Sequence, residues 1–120
     1  MNKTKIYFAS DFHLGIPNLE ESRLREKQIV LWLDDIKKDA KSVYLIGDLF
    51  DFWFEYKTVV PKGFVRVLGK LAEIKDSGIP IYFFVGNHDL WMDDYFEKEL
   101  NIPVYHEPKE FLINNKKFLI

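Results

Sequence analysis

Three short stretches of this chain combine carboxylates with imidazole or amide side chains: "SDFH" holds Asp11 and His13, "GDLFD" holds Asp48 and Asp51, and "GNHD" holds Asn87, His88 and Asp89. A carboxylate and an imidazole two residues apart project to the same side of an extended chain, where they could share a divalent cation. Mixed oxygen and nitrogen donors suit manganese, iron or zinc better than calcium, whose shell is all oxygen. An amide oxygen such as that of Asn87 can also ligate a metal, and His88 beside it can exchange protons near neutral pH. Taken singly, each stretch is ambiguous. A capping aspartate next to a surface histidine has the Asp11–His13 spacing, and Gly-Asp also makes ordinary turns. "YLIGDLFDFW" is more pointed, because Leu49, Phe50 and Phe52 should draw Asp48 and Asp51 out of bulk water, and a carboxylate removed from water needs a positive partner.

The elements that must position these residues are legible around them. Each stretch follows a short apolar run, "KIYFAS", "SVYLIG" or "IYFFVG", rich in aromatic and β-branched residues. Continuous apolar character predicts strands buried on both faces. Between the first two runs, Leu24, Ile29, Trp32, Leu33, Ile36 and Ala40 recur at helical spacing. Asn18 is the expected N-cap, with glutamates in the first turn and lysines at the end. Between the second and third, Phe64, Val67, Leu68, Leu71 and Ile74 form a second stripe that Gly78 and Pro80 terminate. The order β-α-β-α-β implies an α/β fold of parallel strands with helical crossovers. Beyond it, "DDYFEKEL" predicts a short helix, "VYH" a short strand, and "EFLINNKKFLI" a hairpin turning at Asn114 and Asn115. Ligands of open α/β sheets bind past the carboxyl ends of the strands, where all three polar stretches fall.

Composition narrows the class. The 120 residues, 48% of them apolar, suffice for one modest core. A net charge of −2 with interspersed signs gives no electrostatic footprint for nucleic acid. There is no cysteine, which excludes disulfides and thiolate metal sites and is compatible with a reducing compartment. The four-residue apolar run near the N-terminus is too short for a signal peptide, and no stretch approaches the roughly 20 residues of a membrane span. A cytoplasmic location is the resulting expectation.

"DFHLG", "GDLFDFW" and "GNHD", in that order and roughly forty residues apart, resemble the first three signature motifs of the calcineurin-like metallophosphoesterases. Within that superfamily, Phe50, Trp53 and "FEYKTVVPKGF" look most like the UDP-2,3-diacylglucosamine pyrophosphatases, which release UMP and lipid X in lipid A biosynthesis. One branch of those enzymes carries arginine where this chain has His88. The resemblance implies two divalent metal ions, manganese foremost with iron or zinc as alternatives. Asp11 and His13 would bind the first, Asp48 would bridge both, and Asn87 would bind the second. Paired dications about 4 Å apart lower the pKa of water, so that a bridging hydroxide can attack phosphorus. His88 would protonate or hydrogen-bond a phosphoryl or leaving oxygen, a contribution of about 10²- to 10⁴-fold in rate. Asp51 would hydrogen-bond His88 and fix its tautomer.

The implied substrate is a nucleotide-linked glycolipid, with peripheral contact at the inner membrane. Another metallophosphoesterase acting on nucleotides or phosphodiesters, or a non-catalytic half-domain that only binds, remains open. The donors in hand do not complete two metal shells. The family supplies the rest from later histidine motifs in a two-sheet α/β sandwich, so residues 1–120 are expected to be the N-terminal part of a single metallophosphoesterase domain.

Overall fold

The computed structural model describes residues 4–15, 18–51, 64–86, 92, 94–113 and 115–120. Strand β1 (Lys5–Ala9) leads into helix α1 (Leu19–Ile36), then β2 (Ala40–Ile46), α2 (Val65–Asp76) and β3 (Ile81–Phe84). A short helix α3 (Tyr95–Leu100), a short strand β4 (Val104–Tyr105) and the hairpin β5 (Glu110–Ile113) and β6 (Lys116–Leu119) follow. The first four strands form one sheet in the order β1-β2-β3-β4, and every pair in it is parallel. The hairpin is antiparallel and separate, and Asn115 takes a positive φ of 65° at its turn. Asn114 lies outside the described residues.

The two faces of the sheet are divided by residue parity. Val43, Leu45, Ile81 and Phe83 point into the main core, against Ile29, Leu33 and Ile36 of α1, Val67, Leu71 and Ile74 of α2, and Phe96 and Leu100 of α3. Tyr44, Tyr82 and Phe84 point the other way and meet Phe111 and Ile113 of the hairpin. Successive side chains of a strand alternate between faces, so an unbroken apolar run serves two different neighbours. For β1 the expectation of burial on both faces is not met: Phe8 is 46% exposed. The cause is its place at the sheet edge, beyond the reach of the hairpin residues that cover the middle strands. Besides its parallel ladder with β2, β1 is tied by its Tyr7 hydroxyl to Asp39, the residue before β2, to which it donates at 2.7 Å, a bond that pushes the phenol pKa up to about 12.

Helix α1 begins where its cap requires: Asn18 is extended, and its side chain accepts from the Glu21 N–H at 2.9 Å. Four details differ from the sequence pattern. Leu24 is 58% exposed, because Ser22 and Glu26 take the inward positions on that side of the helix and are both buried. The lysines do not occupy the last turn; Lys37 is the C-cap and Lys38 follows it. Ala40 already belongs to β2, and Trp32 packs at the margin of the core rather than within it. Helix α2 ends as expected, with Gly78 at φ 99° donating to the Lys75 carbonyl. No helix among the described residues is long and apolar enough to cross a membrane.

Candidate metal centre

Past the last residues of β1 and β2, the two backbones stay zipped together. The Asp11 N–H donates to the Gly47 carbonyl (3.2 Å), His13 to Asp48 (3.0 Å), Leu14 to Leu49 (3.0 Å), and Asp51 in return to Leu14 (2.8 Å). Leu14 and Phe50, both fully buried, anchor this extension below the surface. The loops therefore carry their polar side chains side by side, fixed to a buried ladder.

Asp11, His13 and Asp48 each offer one ligand atom such that all three atoms lie within 4.8 Å of one another. His13 sits at the middle. Its Nε2 is 3.6 Å from Asp11 Oδ1 and 4.0 Å from Asp48 Oδ2, while its Nδ1 is 3.7 Å from Asp51 Oδ1. Three carboxylates around one imidazole concentrate negative charge in a place where Asp48 keeps only 17% of its side-chain exposure. Like charges this close destabilise one another unless a cation stands among them. The donor set of two carboxylates and one imidazole fits a borderline divalent ion such as manganese, iron or zinc.

The backbone gives an independent reason to regard the cluster as purposeful. Asp11, His13 and Asp48 have φ values of 60°, 47° and 54°, so three of the five described non-glycine residues with positive φ are the three donors. Such conformations cost free energy and persist only where surrounding contacts enforce them, which happens preferentially at functional sites. They also correct the reasoning from sequence: the Asp11–His13 stretch is not extended, and its side chains converge through left-handed turns. The glycines of the second and third motifs serve close approach. A Cβ on Gly47 would lie 3.0 Å from Gly86 Cα, and one on Gly86 would lie 2.6 Å from the Asp48 backbone nitrogen. The end of β3 is thereby pressed against Asp48, as glycine at both positions permits.

Asn87, His88 and Asp89 follow Gly86 directly but lie outside the described residues, as do Phe52 and Trp53. Asp51 is described, and its partner in view is His13 Nδ1. Two further contributors carry no motif in the sequence. Arg25 Nη2 donates to the His13 carbonyl at 2.7 Å, and Ser22 Oγ accepts from the Gly15 N–H at 2.7 Å. The signal that could have revealed them is the intrusion of Ser22, Arg25 and Glu26 into the stripe continued by Ile29, Leu33 and Ile36, since polar residues on an inward helical face are informative.

Comparison with known proteins agrees with this geometry. The model of the calcineurin-like phosphoesterase family matches residues 4–119. The chain is 50% identical over 103 residues to the UDP-2,3-diacylglucosamine hydrolase of Porphyromonas gingivalis, covering 86% of this chain and 39% of that protein. It is 30% identical over 117 residues to the Haemophilus influenzae protein of the same name, covering 95% of this chain and 46% of that one. The chain thus spans less than half the length of these relatives. A solved protein of unknown function from Aquifex aeolicus shares the fold, with a TM-score of 0.58 at 21% identity over 95% of this chain and 57% of that one. Matched over nearly its whole length, and with two of the three motifs brought together at the strand ends, the chain belongs to the calcineurin-like phosphoesterase family.

Proposed function

We propose that these residues form the N-terminal part of the metallophosphoesterase domain of a hydrolase that cleaves UDP-2,3-diacylglucosamine into UMP and lipid X. The observation that carries the reading is the meeting of Asp11, His13 and Asp48 on an enforced backbone. The substrate is suggested by the names of the relatives, one of them half identical to this chain.

Asp11 and His13 would hold one cation, with Asp48 shared between it and a second that Asn87 also holds. When bound, such cations supply positive charge that lowers the pKa of water and neutralises phosphoryl oxygens. The chain's own contribution is placement. Asp48 is held at a fixed position by the bond from His13 N–H to its carbonyl and by the close packing of Gly86. Asp51 Oδ1 lies 3.7 Å from His13 Nδ1, and a hydrogen bond closing that gap would favour the tautomer that leaves Nε2 free to ligate. His88, next after Asn87, would give a proton to the leaving phosphoryl oxygen, so that water adds across the anhydride and two phosphate monoesters depart. Manganese is the proposed ion, with iron or zinc as alternatives. A diacylated substrate resides in a bilayer, so the reading includes peripheral contact with the inner membrane from the cytoplasmic side.

The test uses the full-length protein with added Mn2+ and a substrate panel. UMP release from UDP-2,3-diacylglucosamine is expected. Asp48→Asn is expected to lose both bound metal and at least about 100-fold in rate, since it replaces a shared anionic ligand by a neutral amide. Turnover of simple nucleotides or phosphodiesters without UDP-2,3-diacylglucosamine cleavage would redirect the assignment to another phosphoesterase. No turnover at all with metal retained would favour a binding module.

A further inference from the structure

The loop that carries Asp11 and His13 is gripped from behind by one side of α1. Ser22 and Arg25, three residues apart and hence neighbours on the helix surface, reach the loop at two points. Ser22, buried to 3% exposure, accepts from the Gly15 N–H, and Arg25 donates to the His13 carbonyl, each at 2.7 Å. His13 is thus committed at both backbone groups: its N–H binds the Asp48 carbonyl, and its C=O binds the Arg25 guanidinium. Between those bonds it holds a φ of 47°, and Gly15 two residues on holds 117°. A non-glycine residue leaves the left-handed region unless its surroundings over-determine it. A charge-assisted bond to its carbonyl is a strong restraint of this kind.

We infer that Arg25, supported by Ser22, is a positioning residue of the metal centre, holding the His13 backbone in the conformation that turns the imidazole toward Asp11 and Asp48. The inference rests on the reading of Asp11, His13 and Asp48 as metal ligands. Arg25 acts through the backbone of a ligand, and its removal should loosen metal binding without altering the chemistry of a loaded site. It also lines an open cavity with Asp11, Phe12, Gln28, Ile29 and Trp32, so truncation opens onto solvent-accessible space instead of leaving a void in the core.

In the full-length protein, Arg25→Ala is expected to weaken Mn2+ affinity about 10- to 100-fold, read by the electron paramagnetic resonance of free Mn2+ during titration. Arg25→Lys, which keeps a charged donor, recovers part of the loss. Arg23→Ala, on the exposed side of the same helix, stays at wild-type affinity. The melting temperature of metal-free Arg25→Ala remains near wild type, while the rise produced by saturating Mn2+ shrinks. Should Arg25→Ala fail to fold, Ser22→Ala carries the same expectation. Equal losses of melting temperature with and without Mn2+ would mark a merely structural role and overturn the inference. Wild-type Mn2+ affinity in Arg25→Ala, beside a metal-deficient Asp48→Asn, overturns this inference alone. Wild-type affinity in Asp48→Asn overturns the ligand assignment and this inference with it.

Discussion

At the scale of single residues, His13 is the pivot, because its two ring nitrogens face different carboxylates. Nε2 looks toward Asp11 and Asp48, and Nδ1 looks toward Asp51 at 3.7 Å. A carboxylate behind a ligating imidazole orients the ring and raises its basicity, and losing such a partner commonly costs 10- to 100-fold in metal affinity. This bears on Asp51, for which the motif alone implied a bond to His88. With His13 as its neighbour, we propose that Asp51 acts on the metal centre as well. Asp51→Asn is therefore expected to weaken Mn2+ binding by about tenfold or more, while Asp48→Asn, which replaces a charged donor by a neutral amide, weakens it further. Metal titration of the two variants separates the roles; wild-type affinity in Asp51→Asn would leave Asp51 with no part in holding the cation. Most of this was readable in the residue types, since "SDFH" and "GDLFD" announce donors at strand ends. The conformation was not: Asp and His visit the left-handed region more often than most side chains, but nothing local says that Asp11, His13 and Asp48 do so here. That conformation comes from the pairing of two loops distant in sequence.

At the scale of elements, the strands and helices were legible where the local code is strong and illegible where a tertiary contact overrides it. Asn18 caps α1 and Gly78 closes α2 because cap and αL chemistry act within a few residues. The inward face of the first turns of α1 was misjudged because an apolar Leu24 was given the place that Ser22 and Glu26 occupy. Glu26 shows why a polar residue belongs there. Fully buried, it accepts from the Val67 N–H at 3.0 Å, in the first turn of α2. Phe64, at the N-cap of α2, makes no side-chain capping bond, so α1 supplies the acceptor that α2 lacks locally. A carboxylate there also favours the positive end of the helix dipole. Glu26→Ala is expected to destabilise the fold by about 1–3 kcal/mol, the cost of leaving a buried donor unsatisfied. Glu26→Gln, which keeps an acceptor oxygen, should lose less than the alanine variant. Urea unfolding midpoints compare the two, and equal losses would show that packing, not capping, is what Glu26 provides.

At the scale of the whole molecule, the sheet is covered by helices on one face and only partly by the hairpin on the other. On that second face, Phe8 stacks on Tyr44 at 5.0 Å, Tyr44 on Tyr82 at 4.9 Å, and Phe84 on Tyr105 at 5.0 Å between ring centres. Phe111 of β5 stands edge-on against Tyr44 and Tyr82 and shields the middle of this aromatic layer. Its margins are open. Phe8 and Ile46 are 46% and 37% exposed, and Leu112 and Leu119 of the hairpin are 70% and 76% exposed. Exposed apolar side chains at the sheet margin (Phe8, Ile46) and on the outer face of the hairpin (Leu112, Leu119), next to a sheet edge at β1, favour association between copies, and a net charge of only −2 opposes it weakly. Residues 1–120 expressed alone are therefore expected to sediment as concentration-dependent oligomers and to bind the dye ANS. Phe8→Ser combined with Leu119→Ser should reduce both signals, because it replaces two exposed apolar side chains by hydroxyls while leaving the helical core untouched. The proposed metal centre, on the buried ladder at the ends of β1 and β2, should bind Mn2+ no more weakly in that double variant than in the unaltered chain. A monodisperse monomer of the unaltered 120-residue chain with no ANS signal would show that the aromatic layer and hairpin already satisfy this face.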